Sequence, residues 1–115
     1  MNRLVTAGLL GAIAIALGAF GAHALKDRLA LIPEAHGWWQ TATSYLLTHA
    51  VAIGAIAARS AWPARLWAVG SAIFAGTLYA MALGAPRWFG AITPVGGSLL
   101  ILGWVVLAWS ARKES

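Results

Sequence analysis

The chain contains no cysteine, and its only acidic residues are Asp27, Glu34 and Glu114. Without cysteine there is no disulfide, no thiol nucleophile and no thiolate metal site. The three carboxylates all fall outside the long apolar runs, so no acid inside those runs can orient a histidine or share a proton with one. Ser44, Thr48, Ser71 and Thr77 lie in the runs, but no buried carboxylate is there to complete a nucleophile–base–acid set. The spacings of nucleotide-binding loops and zinc fingers are missing too. The sequence therefore implies no catalytic residue, no cofactor and no metal ligand, and the chain is not expected to be an enzyme.

What the chain has in quantity is apolar surface. Of 115 residues, 61% are hydrophobic and 10% charged, and the mean hydropathy is +0.78, a balance far from that of a soluble domain. Four apolar runs, at about 4–25, 38–58, 66–83 and 94–111, approach the ~20 residues that a helix needs to cross a bilayer. The expected fold is one all-α integral membrane domain over 1–115, with four transmembrane helices in an antiparallel bundle. The first run has a basic start and a small-x-small ending at Ala22-His23-Ala24, as secretory signals do. It is longer than a signal core of about 7–15 residues, and is expected to stay as a helix.

The net charge of +5 does not describe a nucleic-acid-binding face. Arg3, Lys26, Arg28, Arg59, Arg65, Arg87, Arg112 and Lys113 punctuate the runs instead of forming a patch, so the partner they imply is the lipid bilayer. Four crossings would gather Arg3, Arg59, Arg65, Arg112 and Lys113 on one side and Lys26, Arg28 and Arg87 on the other. The excess of basic residues on the first side predicts both termini in the cytoplasm. Between the runs, Lys26 to Gly37 with Pro33 reads as an interfacial loop, and Trp38-Trp39 suits the water boundary. Thr93 as N-cap with Pro94 in the first turn marks the start of the last helix.

Small residues at Ala7, Gly11, Ala14, Gly18 and Gly21 draw a stripe along the first helix. Such a stripe lets a neighbouring backbone approach closely. Gly76, Gly96, Gly97 and Gly103 extend the same expectation to the third and fourth helices. The stripes would serve packing within the chain, against partner membrane helices or in a homo-oligomer.

Inside the runs stand His23, Tyr45, His49 and Tyr79, read here as a candidate intramembrane polar cluster. Tyr45 and His49 are four residues apart and share a helix face. A rise of about 1.5 Å per residue from Trp38 puts His49 roughly 16 Å deep, near mid-membrane. There the ring needs a protein partner, and desolvation favours its neutral form. His23, at its helix end, is offset in depth from His49, so the two make a poor pair of haem ligands.

Four segments resemble the small membrane proteins grouped as domain of unknown function 423 (DUF 423). They are LGAFGAHAL at 17–25; Thr41-Ala42, Tyr45 and His49-Ala50; FAGTLY at 74–79; and TPVGG at 93–97 with Gly103-Trp104. The family often has glutamine where this chain has Leu46. The resemblance implies a four-helix fold, multi-pass in the cell inner (plasma) membrane, with no enzymatic activity assigned. The expected function is thus that of a small inner-membrane protein with a structural or accessory role. The alternative is a small-solute or proton-linked carrier or channel that uses the His/Tyr cluster.

Overall fold

A computed structural model describes residues 2–114. Five α-helices follow one another: α1 (Arg3–Ala22), α2 (Lys26–Leu29), α3 (Ala35–Ala55), α4 (Ala61–Ala82) and α5 (Thr93–Ala111). Short 3-10 turns occupy Arg87–Ala91 and Arg112–Glu114, and no strand occurs among the described residues. The four long helices are antiparallel to their neighbours and pack in chain order, α1 on α3, α3 on α4 and α4 on α5.

Each helix starts and stops for a local reason. The Asn2 side chain accepts from the Leu4 and Val5 amides at 2.7 and 3.4 Å and so caps α1. Helix α3 begins at Ala35, earlier than the Trp38 boundary expected, and the Trp38 amide donates to the Glu34 carbonyl at 3.0 Å. The paired tryptophans therefore lie within the first turns and not ahead of them. Pro63 falls in the first turn of α4, where its missing N–H would have had no intrahelical partner. Gly84 closes the connection after α4 with φ of 107°, a left-handed conformation that glycine adopts without steric cost.

Thr93 does not cap α5 as expected. Ile92 holds that position, and the Thr93 hydroxyl instead donates to the Phe89 carbonyl at 3.2 Å. The reason is continuity: the Ile92 amide bonds Phe89 and the Val95 amide bonds Ile92, so the helix grows out of the preceding 3-10 turn and its first amides already have partners.

The outer helices differ from the inner ones. By length and composition alone, α1 and the Arg87–Glu114 stretch containing α5 are apolar enough to cross a membrane, with mean hydropathies of 2.1 and 2.0, yet little of either is buried. Helices α3 and α4 lie between them and supply most of the core. One core cluster gathers Trp39, Leu46, Leu78, Tyr79 and Met81, and a second gathers Ile53, Ile56, Ala64, Trp67 and Leu100. Phe74 and Leu10 touch both.

At the end that carries the α1–α3 and α4–α5 connections, Arg87 donates to both oxygens of Glu34 at 3.1 Å and lies over the Trp38 ring at 5.5 Å. The hydrogen bond from Arg87, helped by a backbone hydrogen bond, holds the exposed Glu34 carboxyl below its ordinary value of 4.5. Arg28 donates to the Leu83 carbonyl at 2.5 Å, satisfying a C-terminal acceptor of α4. At the other end Arg59 pairs with Glu114.

Candidate functional site

Indole donors, not glycine stripes alone, join the helices. Trp39 on α3 donates from Nε1 to the Leu17 carbonyl of α1 at 2.6 Å, and Trp67 on α4 donates to the Leu100 carbonyl of α5 at 3.2 Å. Trp104 on α5 completes the set by donating to His49 Nε2 on α3 at 3.1 Å.

That third bond fixes the chemistry of His49. An indole N–H can only donate, so Nε2 must be the acceptor and carry no proton. The proton of the neutral ring then sits on Nδ1, which lies 2.7 Å from the Tyr45 carbonyl one turn back and donates to it. Both nitrogens are satisfied inside the protein, and the residue is only 5% exposed. The ring also meets Trp67 and Trp104 edge-on at centroid distances of 6.0 and 5.9 Å, while those two indoles contact each other at 4.4 Å. One layer of aromatic rings thus joins α3, α4 and α5. A protonated imidazole would set an Nε2–H against the indole N–H, two donors facing each other.

A second layer lies toward the α2 end. The Tyr79 ring meets Trp39 edge-on at 4.5 Å, and its hydroxyl shares a 2.7 Å hydrogen bond with Thr43 Oγ1. A threonine pair, Thr77 and Thr93 at 2.6 Å, bonds α4 to the start of α5. Fully buried on α4, Ser71 Oγ has no hydrogen-bond partner among the described residues.

Of the four residues expected to form one polar cluster, the structure brings Tyr45 and His49 together, their rings stacked at 6.4 Å, and places His23 and Tyr79 elsewhere. His23 lies exposed at the C-cap of α1. Tyr45 is 47% exposed with its ring against Phe74 at 4.8 Å, and it gives His49 its carbonyl, not its hydroxyl. Tyr79 belongs to the Trp39 layer, and only His49 occupies the centre. The partners that sequence reasoning missed are Trp39, Trp67, Trp104 and Thr43. Tryptophan is expected at water boundaries, but Trp104 stands well inside the 94–111 run, which was the available signal; Trp67, at the edge of the 66–83 run, gave none. Leu46, at the family's glutamine position, is buried in the apolar core.

The glycines divide in the same way. A Cβ at Gly21 would strike the Trp39 indole, and one at Gly103 would fall 2.5 Å from Trp67 Nε1, so these two are slots for the indole donors. Gly96 is a true backbone contact: a Cβ there would meet the Phe74 amide and lie 2.8 Å from the Gly70 carbonyl. Gly11, Gly18 and Gly97 face Ala50, Thr43 and Phe74 at 3.8, 3.1 and 3.6 Å. Gly76 is exposed and faces open space, so it packs against nothing within the chain. Gly70 belongs in its place.

Among the described residues no group of three or more His, Asp or Glu side chains is placed to hold a metal ion. Four cavities of about 270 to 520 Å³ lie at the ends and flanks of the bundle, and His49 is in the wall of none of these four.

Comparison with known proteins agrees with the resemblance read from the sequence. The profile of the family described as "Protein of unknown function (DUF423)" matches residues 17–97. A UPF0382 membrane protein of Staphylococcus epidermidis is 38% identical over 98% of both chains. One from Haemophilus influenzae is also 38% identical, over 98% of this chain and 96% of its own. The UPF0382 inner membrane protein YgdD of Escherichia coli K12 is 35% identical over 96% and 88%. None of these relatives carries the name of an enzyme. No solved structure matches.

Proposed function

The chain belongs to the DUF423 family, and from that premise we propose an inner-membrane protein of four spans, both termini in the cytoplasm, whose role is structural or accessory and not catalytic. The observation that carries this reading is the complete pairing of His49. A carrier or channel that used this ring would need a lone pair or proton free to exchange with solute, and both nitrogens are engaged by Tyr45 and Trp104.

Four spans are supported by how polarity is distributed. Helices α1 and α5 present apolar side chains such as Leu9, Ile15, Ile101 and Val105 outward, as lipid requires. In helices α3 and α4, His49, Ser71 and Tyr79 are turned inward, while Thr41, Ser44 and Thr48 of α3 stay exposed. The long axis of 50 Å is enough to pass through a bilayer of about 40–45 Å including headgroups. The cytoplasmic placement of the termini rests on Arg3, Arg59, Arg65, Arg112 and Lys113 at one end against Lys26, Arg28 and Arg87 at the other.

Exchange of His49→Phe tests the role. It leaves the Trp104 N–H without an acceptor in an apolar layer, so the expected result is weaker assembly or a lower unfolding temperature, with no solute phenotype. A stable, folded variant with altered flux or altered pH response in proteoliposomes would overturn the proposal and favour a carrier.

A further inference from the structure

A crevice of about 520 Å³ opens at the proposed cytoplasmic end, between the first turn of α1, the end of α3 with its following turn, and the first half of α4. It exists because α1 and α4 are each packed closely against α3 and far less closely against one another. Its walls are of two kinds. Arg3, Arg65, Asn2 and Thr6 form a polar rim, and Ile53, Ala64 and Ala68 form an apolar floor.

The rim is cationic without compensation. Arg3 donates from Nη1 to the Ala57 carbonyl at 2.5 Å, which fixes its guanidinium at the mouth. Arg65 is exposed, with its guanidinium 5.3 Å from the Trp62 ring centroid. Among the described residues neither arginine is in an ion pair: Glu114 is taken by Arg59 and Glu34 by Arg87. The Ala57 carbonyl takes one N–H of Arg3, and the crevice walls carry no carboxylate to neutralise the two guanidinium groups.

We propose that this crevice binds the headgroup of an anionic phospholipid, its phosphate between Arg3 and Arg65 and an acyl chain running over Ile53, Ala64 and Ala68. Guanidinium groups match phosphate oxygens in charge and in fork geometry. A lipid is the source that fits because the floor is apolar and Leu4, in the crevice wall, exposes an apolar side chain beside it. A soluble phosphate would use only the rim. The inference rests on the four-span reading solely to put this end in the headgroup layer. Its test reads lipid selectivity in detergent, whereas the His49→Phe test reads stability and flux, so either can fail alone.

The experiment titrates delipidated protein in neutral detergent with phosphatidylglycerol and with phosphatidylcholine of matched chains, following bound lipid by native mass spectrometry. Basic residues near a lipid surface each favour an anionic headgroup by about fivefold. The wild type is expected to prefer phosphatidylglycerol by at least that factor, Arg65→Gln to lose about fivefold of the preference, and Lys113→Gln, a charge loss at the same end outside the crevice, to keep it. Excess glycerol phosphate is expected not to displace the lipid. Equal binding of the two lipids, or equal losses in the two variants, would overturn the proposal. Displacement by glycerol phosphate would overturn it as well, by showing a soluble-anion site.

Discussion

A histidine held by two protein partners works as a bracket between helices, and its strength depends on the residue that cannot be swapped for a look-alike. That residue is Trp104. Replacing it with Phe keeps a ring against Trp67 but leaves His49 Nε2 as a buried acceptor without a donor, at a cost of about 1–3 kcal/mol. The unfolding temperature in detergent is expected to fall, whereas Trp88→Phe, at an exposed indole, should leave it unchanged. Ser71 gives the opposite sign: its buried hydroxyl has no partner, so Ser71→Ala should hold or raise the same temperature. At this scale His49 was legible, because a lone imidazole deep in an apolar run must be satisfied by protein. Its partner was not, since Trp104 is 55 residues away and only packing brings the two together.

Helix pairs depend on a few positions that the glycine pattern alone could not separate. Gly96→Ala would force apart α4 and α5, where the Phe74 amide and Gly70 carbonyl leave no room for a methyl group. Overpacking of this kind costs about 1–3 kcal/mol or more. Gly76→Ala meets nothing and should stabilise α4 by about 0.5–1 kcal/mol, the helix preference of alanine over glycine. Thermal unfolding of the two variants side by side would reverse the account if Gly76→Ala were the damaging one. Both glycines sit in apolar runs, and which face looks at a neighbour depends on the helix rotation, which spacing does not give.

The start of α3 carries a pH-dependent tie. Glu34 titrates below its ordinary value because Arg87 hydrogen-bonds its charged form. A lowered folded value means that the contribution is present above about pH 4.5 and is lost as the pH falls through the folded value. Acidification toward pH 3 should therefore narrow the difference in unfolding temperature between wild type and Glu34→Gln. A gap that stayed constant from pH 7 to pH 3 would contradict this.

For the molecule as a whole, hydropathy was informative about the outside and silent about the inside. The apolar outer helices α1 and α5 were plain in composition, while α3 and α4 carry the polar groups whose inward aim only the assembled bundle reveals. Because the chain has no cysteine, single cysteines report topology without background. Under the four-span proposal, Ser60→Cys should be shielded from an impermeant thiol reagent in intact cells and Asp27→Cys should be labelled. The central claim is that the bundle encloses His49 with its own groups and leaves it no exchange with solute. The most direct measurement is the nitrogen-15 spectrum of the His49 ring in lipid nanodiscs at neutral pH. The account predicts a neutral ring with the proton on Nδ1 and a hydrogen-bonded, unprotonated Nε2; a ring protonated at Nε2, or an imidazolium in exchange with water, would contradict it.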